Sequence, residues 1–207
     1  MKIKRLQLGE LGTNCYIVSG EDFALVIDPA DVSEELISFV YEEKDKQNKY
    51  ILLTHCHIDH ILGVERVKEI WDCPIVIGEK EAISLQTPSE NLSTYIFGKE
   101  YSLKADLLVK NGDIITLGSK EISVLETSGH TKGSVCYILE DNMFSGDTLF
   151  KGTIGRTDFP TSNIEEMAKT LEMLSKMEKD YNLYPGHDDA TTLFREKKFN
   201  QYMRYFI

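Results

Sequence analysis

Apolar positions in this chain come in short runs, broken by glycine-bearing polar turns. Lys2–Leu8 and Cys15–Ser19 are predicted to pair as strands around Gly9, Gly12 and Thr13-Asn14, and Phe23–Ile27 to form a buried strand. Asp31, with Glu34 three residues on, predicts a helix start. The apolar positions of that helix are Leu36, Ile37, Val40 and Tyr41. Tyr50–Leu53 predicts a second buried strand, and Ile61, Val64, Val67 and Ile70 carry a helix through Trp71. Ile75–Ile77 predicts a short strand and Glu79–Leu85 a short helix. Residues 86–105 carry no period, which predicts a long surface excursion with one helical turn, acting as lid or wall of a binding site.

The second half is richer in strand patterns. Leu107–Lys110 and Ile114–Leu117, around the turn Asn111-Gly112-Asp113, predict a hairpin. Ile122–Glu126, Val135–Leu139 and Asn142–Phe144 predict further strands, and Leu183-Tyr184 a last short one. A helix is expected from about Ile164 to Met177, with Met167, Leu171 and Leu174 inward, and a basic amphipathic helix over Leu193–Phe206. Strands in both halves, each accompanied by helices, predict two sheets packed face to face with helices outside, in a single domain of residues 1–207.

Composition narrows the functional classes. A net charge of −11 argues against a nucleic-acid surface, which needs clustered Lys and Arg. It leaves an anionic small substrate open, because local charge decides binding at a site. No apolar run has the ~18–20 residues of a membrane span. The basic start Met1–Leu6 leads into no apolar signal segment, so a cytoplasmic location is expected. Cys15, Cys56, Cys73 and Cys136 form no Cys-x-x-Cys pair and are expected as free thiols.

The candidate chemistry sits in the motif loops. Thr54-His55-Cys56-His57-Ile58-Asp59-His60 follows the Tyr50–Leu53 run, at the kind of strand end where α/β sheets place their sites. One histidine alone is most often a solvated side chain, but three with an aspartate in six positions point to a metal site. A period of two turns His55 and His57 to the same side and Cys56 away from them. The two remaining histidines of the chain, His130 and His187, each follow a glycine after a strand, as does Asp147. These seven divide into His55, His57 and His130 around one cation and Asp59, His60 and His187 around a second, with Asp147 between them. A water shared by two cations is deprotonated near neutral pH and becomes a strong nucleophile. Zinc suits this donor set, and iron or manganese also fits.

His55-x-His57-x-Asp59-His60, Gly129-His130, Gly146-Asp147 and Gly186-His187, in that order, resemble the metallo-β-lactamase superfamily. The resemblance implies an α+β fold, a four-layer αββα sandwich, with a two-metal site at the edge between the sheets and with Asp28 supporting the metal loop. Thr127–Ser134, Phe144–Phe150, Gly155–Asp158 and Tyr184–His187 look most like the glyoxalase II-like hydrolases. That implies a thioester hydrolase, with Asp59 as ligand and catalytic group and a glutathione thioester as a candidate substrate, in a monomer or homodimer. His60 and Asp147 stand where antibiotic-degrading members usually have Arg and Cys, so β-lactam hydrolysis is not expected. Arg156 and Lys151 are the candidate substrate contacts; for Lys132 and Lys151 ordinary surface charge is the favoured reading. Lys197, Lys198 and Arg204 are candidates to stand in for the basic C-terminal region that holds glutathione in that group. The alternatives on the same scaffold are a mono-iron persulfide dioxygenase using His55, His130 and Asp147, or a lactonase; the acidic balance weighs against a nuclease. Tyr95 and Phe97 are the aromatics expected to wall the pocket.

Overall fold

The computed structural model describes residues 1–206; Ile207 lies outside the described residues. Two six-stranded sheets form the centre of the molecule. The first runs, in spatial and chain order, β1 (Lys2–Leu8), β2 (Thr13–Ser19), β3 (Phe23–Ile27), β4 (Asn48–Leu52), β5 (Ile75–Gly78) and β6 (Leu107–Val109). The second consists of β7 (Ile114–Leu117), β8 (Lys120–Glu126), β9 (Val135–Leu139), β10 (Asn142–Gly146), β11 (Asn182–Pro185) and β12 (Thr191–Thr192). β3 through β6 are parallel, as are β10 and β11, and the remaining pairs are antiparallel.

The strands read as continuous apolar runs because both faces of each sheet are covered. In β3, Phe23, Leu25 and Ile27 point into the core between the sheets, while Ala24 and Val26 point to the helices. β2 divides in the same way, with Tyr16 and Val18 inward and Cys15 and Ile17 outward. The outer layer on the first sheet contains α1 (Glu34–Glu42) and α2 (Val64–Trp71), through Leu36, Val40, Val64, Val67 and Trp71. On the second sheet lie α4 (Ile164–Ser175) and α5 (Leu193–Phe199), through Met167, Leu171, Leu174 and Leu193. The order helix, sheet, sheet, helix is the αββα sandwich.

Several local expectations are corrected. The Leu107–Lys110 and Ile114–Leu117 runs are not a hairpin: β6 pairs with β5 in one sheet and β7 with β8 in the other. Asn111-Gly112-Asp113 is the corner between the sheets, and Val109, Ile115 and Leu117 all enter the shared core, so the period-two pattern is the same in either arrangement. The cap of α1 is Ser33, whose hydroxyl accepts from Leu36 N at 3.1 Å, while the Asp31 carboxylate accepts from Val32 N. The expected Ile61–Trp71 helix begins at Val64, because Ile58–His60 forms a separate 3-10 turn. Glu79–Glu81 and Ser84–Gln86 are 3-10 turns where a helix over Glu79–Leu85 was expected. The basic tail is helical only over Leu193–Phe199, with a 3-10 turn at Arg204–Phe206. The 86–105 excursion does contain one short helix, α3 (Ser93–Phe97). No helix among the described residues is long and apolar enough to cross a membrane.

Candidate metal centre

Five strands deliver the site. β3, β4, β8, β10 and β11 end at Ile27, Leu52, Glu126, Gly146 and Pro185, and Asp28, His55–His60, His130, Asp147 and His187 follow those ends. The two sheets are joined there by a backbone hydrogen bond from Val135 N to Thr54 O, 2.9 Å. Three groups of side chains bring potential ligand atoms within 4.8 Å of one another: His55, His57 and His130; His55, His60 and Asp147; and Asp59, His60 and His187. All seven residues singled out in the sequence meet in one cleft of about 290 Å³, or in its floor.

Hydrogen bonds orient the rings. His130 Nδ1 lies 2.9 Å from Arg156 O, and a carbonyl only accepts, so the proton is on Nδ1 and Nε2 is bare. His60 Nδ1 donates to Asp28 Oδ2 at 3.0 Å. Thr54 Oγ1 donates to the same oxygen, Asp28 Oδ2, at 2.7 Å, and so accepts from His55 Nδ1 at 3.1 Å. Asp28 Oδ1 accepts from Thr54 N at 2.8 Å. One buried carboxylate thus sets two ligand rings, the carboxylate–histidine pairing common behind metal ligands. The Nε2 atoms of His55, His57 and His60 and Oδ1 of Asp147 are buried with no hydrogen-bond partner. Buried polar atoms are rarely left unpaired, and such a convergence of lone pairs fits a cation. His57 Nδ1 and His130 Nε2 face each other at 2.9 Å. The site's donor set is nitrogen and oxygen only, as zinc, iron or manganese accept.

Electrostatics matches this reading. Burial, with His60, His57 and His130 nearby, pushes His55 well below the ordinary imidazole range, and burial holds His57 down at about 3. Burial also disfavours charge on His60 and His187, but the carboxylates of Asp59 and Asp147 outweigh it and raise both. Burial alone would raise Asp59; His60 and the hydrogen bond from His187 overcome it and hold the carboxyl at about 2. Asp147 is held well below the carboxylate range because His60 outweighs its burial. Two rings are therefore neutral and two carboxylates ionised at neutral pH, while His60 must give up a proton to bind a cation and the raised His187 also competes with protonation. Ligation competes with protonation at these two rings, so metal affinity is expected to rise with pH through their raised pKa values and to level off above them. Calorimetric titration with Zn²⁺ near pH 7 in two buffers of different ionisation enthalpy should report release of roughly one proton or more per chain, carried mainly by His60. Heats independent of the buffer would refute this.

Two glycines are required by the packing. A Cβ on Gly186 would lie 2.2 Å from Asp147 Oδ1 and 2.7 Å from His60 Cε1. Gly146 has φ +48° and its Cβ would meet Thr54 Oγ1 at 2.2 Å. Only glycine allows the backbone to come this close to the ligand side chains.

Of the expected substrate contacts, Arg156 lines the metal cleft. Lys151 is paired with Asp189 at 3.1 Å, and Lys132 with Glu90 at 2.9 Å. Lys197 bonds the backbone oxygen of Met177, and Lys198 lies over Phe199 of its own helix, 5.3 Å from the ring centre. Tyr95 is at the rim beside Arg156, but Phe97 packs against the core under the first sheet. Cys56 is buried in that same core, facing away from the ligands.

Two residues escaped sequence reasoning. Phe159 packs edge-on against His57 and His130, with ring centres 5.3 and 5.9 Å apart. Glu81 is fully buried; its carboxylate accepts from Cys56 N at 2.9 Å and from Gly133 N at 2.8 Å. It therefore ties the loop of His55 and His57 to the loop of His130.

An αββα sandwich with this histidine–aspartate cleft at its strand ends defines a class of metal-binding proteins. The chain belongs to the metallo-beta-lactamase superfamily, whose profile matches residues 8–187. A protein of Streptococcus pyogenes serotype M6 named "Probable metallo-hydrolase M6_Spy0554" is 34% identical over 212 residues, covering 98% of this chain and 90% of that protein. Among solved structures, the BLEG-1 B3 metallo-beta-lactamase is similar with a TM-score of 0.88 and 32% identity, over 98% of this chain and 99% of that one. TTHA1623, described in a di-iron-bound form, has a TM-score of 0.82 and 27% identity, over 96% and 99%.

Proposed function

We propose that this protein is a binuclear metal-dependent hydrolase of small thioesters. The observation that carries the metal reading is the convergence of bare, buried ring nitrogens and the Asp147 carboxylate at the floor of one cleft. His55, His57 and His130 would hold one cation, and Asp59, His60 and His187 the other, with Asp147 in reach of both. Two bound cations would supply Lewis acidity and a water ionised near neutral pH.

The chain's own residues prepare the rest. Asp28 and Thr54 lock the His55 and His60 rings before any ligand arrives. Asp59 is ionised and faces the cleft, with Thr13 Oγ1 bonded to its Oδ2 at 3.0 Å, so it orients the nucleophilic water by accepting a hydrogen bond. A carboxyl held at about 2 is a weak base, and orientation is the role it fits. Leu11, Ile96, Phe150 and Phe159 line the cleft and exclude bulk water from the acyl group. Hydrolysis joins the water oxygen to the acyl carbon and breaks the carbon–sulfur bond; the thiolate leaves with the electron pair and takes up a proton. The resemblance of Gly155–Asp158 and Tyr184–His187 to glyoxalase II-like hydrolases supports thioesters over other acyl substrates.

Metal is open between zinc and iron, since one similar structure is described as di-iron bound. Because another similar structure is named a B3 metallo-beta-lactamase, a β-lactam belongs in the test panel. Metal analysis, followed by assay of S-D-lactoylglutathione, an acyl-N-acetylcysteamine thioester, a homoserine lactone and a β-lactam, separates these reactions. Two metals per chain, with thioester turnover lost on chelation and restored by Zn²⁺ or Fe²⁺, is the expected result. One iron per chain with oxygen consumption on glutathione persulfide would replace this reading with the oxygenase one.

A further inference from the structure

Beside the metal cleft lies a second, larger cavity of about 630 Å³. Leu92, Arg156 and Phe159 line both, so the two adjoin. Tyr95 and Pro160 complete its apolar walls. The Arg156 guanidinium lies 4.3 Å from the Phe159 ring centre and donates through Nε and Nη2 to the two oxygens of Asp158, at 2.9 and 2.8 Å. Both partners are 65% exposed, and ion pairs so open to water contribute little, so Asp158 is readily displaced. Neither Lys132 nor Lys151, the cations of the flanking loops, lines this cavity.

Resting on the thioester hydrolase reading above, we propose that this outer groove binds the part of the substrate remote from the scissile bond. That part is flat and apolar and carries a single anionic group, which takes the place of Asp158 on Arg156. A planar guanidinium backed by an aromatic ring pairs a carboxylate in a fixed plane, while the apolar walls take the hydrophobic body. Glutathione has two carboxylates and an ammonium group and no aromatic body, so its thioesters match this groove poorly. Asp158 acts as a competitor that keeps Arg156 extended over Phe159 until substrate arrives.

The test uses the metal-loaded full chain and three arylacetyl thioesters. S-phenylacetyl-N-acetylcysteamine is uncharged. S-(4-carboxyphenylacetyl)-N-acetylcysteamine carries its anion on the acyl side, and the phenylacetyl thioester of 4-(mercaptomethyl)benzoate carries it on the thiol side. One of the two anionic thioesters should have a KM lower than the neutral one by about tenfold, with kcat little changed. Arg156→Met should abolish that preference, raising KM for the anionic substrate more than for the neutral one, and Asp158→Asn should lower KM for the anionic substrate further. Tyr95→Ser, at an 81% exposed position, should raise KM for all three without altering folding. The preferred compound should also outperform S-D-lactoylglutathione in kcat/KM. Equal KM values for charged and uncharged substrates, or equal losses on all of them in Arg156→Met, would overturn the groove assignment. A thioether analogue of each compound, titrated calorimetrically, gives the same comparison without turnover. Arg156-dependent binding of the analogue without hydrolysis of any thioester would retain the groove and discard the hydrolase reading; absence of both would discard the two together.

Discussion

Asp147→Asn should lower hydrolytic turnover by on the order of 10³-fold or more while leaving the fold intact. The side chain keeps its shape but loses the charge that faces His60 Nε2 at 3.4 Å, His130 Nε2 at 3.5 Å and His187 Nε2 at 3.6 Å. Among the described residues, no other carboxylate in the cleft stands within reach of rings from both clusters in this way. An amide oxygen is a weaker ligand and an amide nitrogen is none, so the variant should retain one cation per chain after dialysis where the parent retains two. Metal analysis alongside the thioester assay checks both parts. A full complement of metal and parental turnover would remove Asp147 from the mechanism.

The second large effect falls on a residue with no chemistry of its own. Glu81→Gln should destabilise the protein by about 2–4 kcal/mol, because one of two buried amide groups loses its acceptor. The carboxylate offers one oxygen to Cys56 N and the other to Gly133 N, whereas glutamine presents an NH₂ group to one of them. Since Cys56 lies between His55 and His57, and Gly133 lies three residues after His130, loosening this tie also loosens the first ligand cluster. Denaturant unfolding should show the loss, and amide exchange at Cys56 and Gly133 should accelerate. Unchanged stability and exchange would mean that the buried carboxylate is dispensable.

These two residues also mark the difference between what could and could not be seen in the chain. Asp147 stood out because a glycine and an acid directly follow an apolar strand, in series with two Gly-His pairs built the same way. Glu81 did not, since a glutamate in Glu79-Lys80-Glu81 has the appearance of a solvated turn, and acids are seldom fully buried. Its burial follows from the docking of that turn against Gly133, a contact between segments some fifty residues apart. Phe159 was hidden for the same reason. An aromatic in a polar loop is unremarkable until the loop folds over His57 and His130.

The short continuous apolar runs determined by themselves that two covered sheets would form, because residues such as Phe23 to Ile27 must bury both faces. The spacing of the motif loops likewise determined the seven candidate ligands, since glycine-flanked histidines and acids at strand ends have few other uses. Only the tertiary structure decided which strands belong to which sheet. The turn at Asn111-Gly112-Asp113 would serve a hairpin as well as a corner, and the choice was made by β5 and β8 as pairing partners. It also decided the ring tautomers, which depend on Asp28, Thr54 and the Arg156 carbonyl arriving from distant segments. The same holds for the cations. Lys132, Lys151 and Arg156 are equivalent as letters, but packing pairs the first two with acids of distant segments, while Arg156, paired with its near neighbour Asp158, is laid over Phe159 at the junction of two cavities. Side-chain period is a local property and survives in the sequence; partner choice is a long-range property and exists only once the chain is folded.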